Sequence, residues 1–191
     1  MHTPLVSRRD RAGFTFVELA VTLVILLVAL LIFSSTLSSV AEQRAINRES
    51  ALAQEAARNM LESLRSEPFP EVFARYNSDP ADDPGGAGTA PGHRFAVANL
   101  DEAPDSPDAL EGEIVFPTAV DPVAGLQLRE DVVDRALGLP RDLSGDSVID
   151  AGDHALDYFV LPVRITVRWK GRSGTREYQL TTQLCQWRKL T

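Results

Sequence analysis

Apolar and polar positions follow three successive patterns along the chain. From Phe14 to Phe33 the run FTFVELAVTLVILLVALLIF carries a single charge, Glu18. A helix rises 1.5 Å per residue, so 20 such residues cover about the 30 Å of a bilayer core. Residues 14–33 are therefore expected to be a transmembrane helix. After the small polar patch Ser34, Ser35, Thr36, Ser38 and Ser39, apolar residues return at three- and four-residue spacing. They run through Leu37, Val40, Ala41, Ala45, Leu52, Ala53, Ala56, Ala57, Met60, Leu61 and Leu64, which predicts an amphipathic continuation of the helix over 34–66. Glu55 with Arg58 and Glu62 with Arg65 are placed to support its polar face. Pro68 and Pro70 end it, because each proline pushes the preceding residue out of the helical region. The third pattern is irregular chain broken by short alternations. Prolines, glycines and aspartates between Tyr76 and Gly112 read as loop, with strand candidates at Arg94–Asn99 and Glu113–Phe116. Val163, Ile165, Val167 and Trp169, then Tyr178, Leu180, Thr182 and Leu184, mark one face of a hairpin turning at Gly171–Gly174. The predicted class is α+β: a long N-terminal α-helix packed on a small antiparallel sheet, with 67–191 as a β-rich domain carrying acidic loops.

Charge divides along the same lines. The leader, residues 1–13, holds Arg8, Arg9 and Arg11 against Asp10. Between Glu67 and Val163 there are 20 acidic and 5 basic residues, whereas Arg164–Thr191 holds seven basic residues and one acid, Glu177. The formal charge is −8, with no basic cluster isolated from acid, which argues against a nucleic acid partner. The acid and base are read as solvated faces, with head-to-tail complementarity between neighbouring copies as the alternative. The one cysteine, Cys185, can form no intrachain disulfide and offers no cysteine metal site.

Secretion by a cleaved signal peptide fits poorly, since the apolar run exceeds the usual h-region of about 7 to 15 residues. A plain anchor, with the arginines held in the cytoplasm, accounts for length and orientation but not for Glu18. A carboxylate at that depth costs about 2.5 to 3.5 kcal/mol, so it needs a cation. Arg11-Ala12-Gly13-Phe14-Thr15-Phe16-Val17-Glu18-Leu19 resembles the prepilin cleavage and methylation motif of type IV pilins and type II secretion pseudopilins. The resemblance implies that a prepilin peptidase cuts between Gly13 and Phe14 and methylates the new N-terminus of Phe14. It implies that Glu18, then the fifth residue, pairs with the terminal ammonium of a neighbouring subunit. It also implies a pilin-like fold, an inner-membrane stage with the C-terminal domain in the periplasm, and other pilin or pseudopilin subunits as partners. The segment from Ala57 to Pro70 and the Leu-Pro-Val strand leading into Trp169 resemble PilV-like minor pilins and minor type II secretion pseudopilins; a lone Cys185 departs from the C-terminal cysteine pair of major pilins.

One loop carries candidate chemistry. Residues 142–153 place Asp142, Ser144, Asp146, Asp150 and Asp153 at positions 1, 3, 5, 9 and 12, with the Val148 carbonyl at 7. That is the oxygen spacing of an EF-hand calcium loop, and it resembles the dockerin variant that ends in Asp. Ser147 stands where a glycine normally turns the chain. Calcium is thus a candidate ligand, and an acidic turn the alternative. Histidines 2, 93 and 154 form no nucleophile or metal pattern, and no catalytic motif is present in the sequence. The chain is read as a structural subunit of a filament, the alternative being a membrane-anchored recognition module that binds calcium.

Overall fold

The computed structural model describes residues 15–104, 106, 109–172 and 174–186. The chain divides into two compact units, residues 1–45 and 46–191. One helix, α1 (Phe16–Ser66), contributes to both.

In the first unit, every residue from Thr15 to Arg44 is exposed. Phe16 and Leu31 are 85% and 71% exposed, so the apolar run is left uncovered by the described residues. Its hydroxyls do find partners. Ser35 donates to Ile32 O at 2.8 Å, Thr36 to Ile32 O at 2.9 Å, Ser38 to Ser34 O at 3.2 Å and Ser39 to Ser35 O at 3.1 Å. Serine and threonine in a helix commonly bond back to the carbonyl one turn earlier in this way.

The second unit begins with the rest of α1, where the stripe is put to use. Ala53, Ala57 and Leu64 are fully buried and Leu61 nearly so, while Leu37 and Val40 of the same stripe stay exposed. The expected Glu62–Arg65 pair closes at 3.1 Å on the solvent face. A 3-10 turn at Phe69–Glu71 and a short helix, α2 (Val72–Tyr76), follow the Pro68 break. Strands β1 (Arg94–Phe95), β2 (Gly112–Val115), β5 (Val160–Gly171) and β6 (Gly174–Cys185) form an antiparallel sheet in the order β1-β2-β5-β6. A separate hairpin pairs β3 (Thr118–Asp121) with β4 (Gly125–Leu128).

The β5–β6 hairpin follows the alternation. Ile165 faces Leu180, and Val167 faces Tyr178. Val163, Ile165 and Val167 are fully buried and Trp169 is 2% exposed, in one apolar cluster with the α1 residues. Each such side chain, fully buried, contributes about 1.5 to 3 kcal/mol. Trp169 also donates its Nε1 hydrogen to Glu49 of α1 at 3.3 Å.

Two strand expectations need correction. The strand expected at Arg94–Asn99 stops at Phe95. The buried Glu111 carboxylate takes the Val97 N–H at 2.8 Å, removing it from any ladder, and Asn99 enters the left-handed region at φ 64°. The β3–β4 hairpin falls where no strand was anticipated. Its turn is shaped by Asp121, whose Oδ1 accepts from Val123 N and Ala124 N at 2.8 Å each, a local bond that favours turns.

Tyr158 pins the segment after α1. Its hydroxyl donates to Phe69 O at 2.6 Å and accepts from Phe73 N at 3.3 Å, and burial pushes its pKa up to about 12. Tyr158→Phe leaves both main-chain groups without that partner. The expected loss of stability is about 1 to 3 kcal/mol, read from chemical denaturation of the full chain in detergent.

Candidate functional site

Gly13 and Phe14 lie outside the described residues. What is described begins one residue later. Thr15 precedes α1, and its carbonyl accepts the first helical bond, from Leu19 N at 3.1 Å. Its Oγ1 accepts from Glu18 N at 3.2 Å. Those two bonds make Thr15 the helix N-cap. Glu18 sits in the first turn of α1, where the helix dipole favours an anion. One turn on, Thr22 donates to Glu18 O and to Leu19 O, at 2.9 Å each. Glu18 is exposed, on a surface otherwise built from Phe16, Val17, Leu19 and Val21. Sequence reasoning singled out Glu18 but missed Thr15. The signal was in the chain, because Thr15-x-x-Glu18 has the spacing of a capping box.

The acidic loop is ordered by its own amides. Asp142 Oδ1 accepts from Gly145 N at 2.6 Å and its Oδ2 from Ser147 N at 2.7 Å; Ser144 Oγ reaches Asp142 Oδ1 at 3.3 Å. Asp146 Oδ1 accepts from Val148 N at 2.8 Å, and Asp150 Oδ1 from Gly152 N at 2.6 Å. Asp153 turns toward β4, accepting from Leu128 N at 3.0 Å and from Ala155 N at 3.1 Å. For Asp142 and Asp150 these bonds stabilise the charged form. The Gly145 amide chiefly holds the Asp142 carboxyl below its usual range, and the Gly152 amide, then His154, does the same for Asp150. Ser147 adopts φ 71°, the left-handed turn that glycine makes easily and serine makes with strain. Among the described residues, no group of three or more His, Cys, Asp or Glu is arranged so that it could hold a metal ion.

A buried carboxylate anchors this loop, and no sequence pattern marked it. Glu130 is fully buried. Its Oε1 accepts from Leu143 N at 2.6 Å and Ser144 N at 2.9 Å, while its Oε2 lies 3.6 Å from His154 Nε2. His154 also meets Asp150 at 3.3 Å through Nε2 and Asp157 at 3.1 Å through Nδ1. Burial alone would lower its pKa; the Asp150 hydrogen bond, then Glu130 and Asp157, outweigh burial and raise it. Glu130 evaded detection because its role depends on a contact 13 residues away in sequence.

Residues 8–34 match the family model of the prokaryotic N-terminal methylation motif. The chain thus carries the prepilin-type signal of type IV pilins and pseudopilins. No curated protein and no solved structure matches the chain.

The anchoring by Glu130 is open to a direct check. Glu130→Ala strands the Leu143 and Ser144 amides, at a cost of about 1 to 3 kcal/mol. Hydrogen exchange at those two amides is expected to accelerate by roughly tenfold or more, with α1 and β5 amides little changed.

Proposed function

We propose that this chain is a non-enzymatic structural subunit, a minor pilin or pseudopilin, cut and N-methylated by prepilin peptidase and then built into a type IV pilus or a type II secretion pseudopilus. One observation carries the reading. Within a matched methylation signal, the apolar part of α1 is exposed along its length and bears a single carboxylate, Glu18, in its first turn. Such a surface needs either lipid or other subunits, and such a carboxylate needs a cation. The ammonium that cleavage creates at Phe14 on a neighbouring copy supplies one. In the membrane stage, the leader arginines favour a cytoplasmic N-terminus and a periplasmic 46–191 unit. The PilV-like resemblance around Ala57–Pro70 and the lone Cys185 favour a minor rather than a major position.

A second reading concerns the 142–153 loop as a calcium clip on this subunit, or on a membrane-anchored recognition module. What favours it is the left-handed Ser147 at the turn position of an EF-type loop. Each carboxylate oxygen has more than one acceptor site, so an N–H bond does not exhaust a ligand. Calorimetric titration of the full chain in detergent is expected to give binding heat in the 0.1 to 1 mM range typical of extracellular modules, about 10⁻⁴–10⁻³ M. Asp142→Ala should abolish it. An absence of heat at millimolar calcium would leave the loop as an acidic turn.

For the subunit reading, mass spectrometry of the membrane-extracted protein is expected to find N-methyl-Phe14 as the first residue. Any other N-terminus overturns it. Glu18→Ala should insert into membranes normally, since it removes an intramembrane charge, yet enter filaments at least about tenfold less well. Undiminished incorporation would refute Glu18 as the assembly contact.

A further inference from the structure

We infer that the outer edge of β6, from Thr181 to Cys185, is a docking site for an extended segment of another polypeptide. That segment joins the sheet as a further strand, with apolar side chains on one face and acidic ones on the other. The site is separate from the helix surface on which the subunit reading rests. β6 closes the sheet order β1-β2-β5-β6, so one of its edges meets no described strand. The direction of its main-chain groups follows from β5. Arg168 N donates to Glu111 O at 2.8 Å and Lys170 N to Asp101 O at 2.9 Å, so even-numbered residues of β5 turn away from β6 and odd-numbered ones toward it. Odd residues of β5 stand opposite even residues of β6, as Leu161 does opposite Leu184 and Val163 opposite Thr182. Gln186 N accordingly donates to Phe159 O at 3.0 Å. Thr181, Gln183 and Cys185 therefore aim their N–H and C=O groups outward. Nothing blunts this edge. The register with β5 runs without a bulge from the pair Val160 and Cys185 to the pair Gly171 and Gly174. Tyr178–Cys185 contains neither proline nor charge, the usual guards of an exposed strand.

Two hollows flank the same stretch. On the α1 face, Leu64, Phe69, Val72 and Leu184 line a cavity of about 200 Å³. On the other face Arg164 holds Asp134 at 3.0 Å, and the residues that follow, Arg135–Gly138, line a cavity of about 480 Å³ with Thr181–Gln183. Neither cavity is lined by a residue of β5, so both open beside the free edge of β6. A strand added there sends its side chains alternately to the two faces. Strand addition takes its affinity from main-chain bonds and its specificity from such alternate pockets. Leu64, Val72 and Leu184 are buried, which gives the first hollow an apolar floor suited to an aliphatic side chain. Its rim charges, Arg65 and Glu67, are already paired with Glu62 and Arg75. At the second hollow Arg135 is exposed while Asp134 is taken up by Arg164. The charge left to meet an incoming side chain is positive, and it selects a carboxylate. A second copy of β6 does not answer that requirement, because Tyr178–Cys185 carries no acid.

The probe is a short synthetic peptide alternating valine and glutamate, added to the full chain in detergent. Binding is read from fluorescence anisotropy of the labelled peptide and from hydrogen exchange at the Thr181, Gln183 and Cys185 amides. The peptide is expected to bind and to slow exchange at those amides about tenfold or more. Three changes should each weaken binding by about tenfold or more: N-methylation of the peptide's amides, lysine in place of its glutamates, and Gln183→Pro. That proline removes an outward donor from β6 and leaves the bonds to β5 in place. Should Gln183→Pro fail to fold, Arg135→Glu decides, since this surface change should reverse the preference and make the valine–lysine peptide the better ligand. No binding at about 1 mM peptide overturns the docking site, and so does binding that is indifferent to N-methylation and to Arg135→Glu. Amides already protected without peptide overturn it too. Protection that grows with protein concentration would assign the edge to a second copy, and protection that does not would assign it to the chain's own terminus.

Discussion

Ala53, Ala57, Leu61 and Leu64 of α1 share one apolar cluster with Val163, Ile165, Val167 and Trp169 of β5. Everything ordered in the 46–191 unit depends on that burial. The small residues at 53 and 57 leave room for the sheet's side chains, and the sheet's period-two alternation supplies a continuous face for them. The Trp169 hydrogen bond to Glu49 fixes the same contact at a polar point. With the sheet held there, Tyr158 can reach the chain that leaves α1, and β5 offers one edge to β2 and the other to β6. The loops on either side of β2 are then tethered chiefly by carboxylates that take main-chain amides: Glu111 before it, and Asp121, Glu130, Asp142 and Asp153 between β2 and β5. Their acidity is structural as well as solubilising.

The same physics reads differently in the first unit. There the apolar side chains are exposed among the described residues, so their burial calls for lipid or other polypeptides. A lone carboxylate on such a surface is unfavourable in isolation and specific in company, because few neighbours offer a cation at a matching height along a helix. Fully apolar contact gives a helix pair little reason to prefer one stagger over another; one charge pair selects a register.

Regular elements were readable in the sequence to the extent that they repeat. The stripe from Leu52 to Leu64 and the alternation from Val163 to Trp169 each sample their period several times, and both appear as anticipated. Short elements gave too few repeats. Residues 94–99 alternate well enough for a strand, yet Glu111, distant in sequence, takes the Val97 amide and ends it. The β3–β4 hairpin has four residues in each strand, too few to show a period. Of the site, Glu18 stood out because a charge in an apolar run is conspicuous. Thr15 was legible as a capping spacing and was passed over, since a threonine beside an apolar run looks unremarkable. Glu130 was not legible at all, because a glutamate's burial is decided by what folds over it.

The back-bonded hydroxyls of Ser35, Thr36, Ser38 and Ser39 bear on how such a helix leaves a bilayer. By composition this stretch is polar and should mark a sharp boundary at the headgroups. By hydrogen bonding it is nearly neutral toward its surroundings, for each hydroxyl hydrogen is already spent on a carbonyl of the helix. Moving it between hydrocarbon and water strips few donors, so the helix meets no abrupt barrier there and several depths lie close in free energy. On the proposed reading of this chain as a filament subunit, such a profile would let it be drawn outward in small steps, each opposed mainly by the exposure of leucines, isoleucines and valines further down.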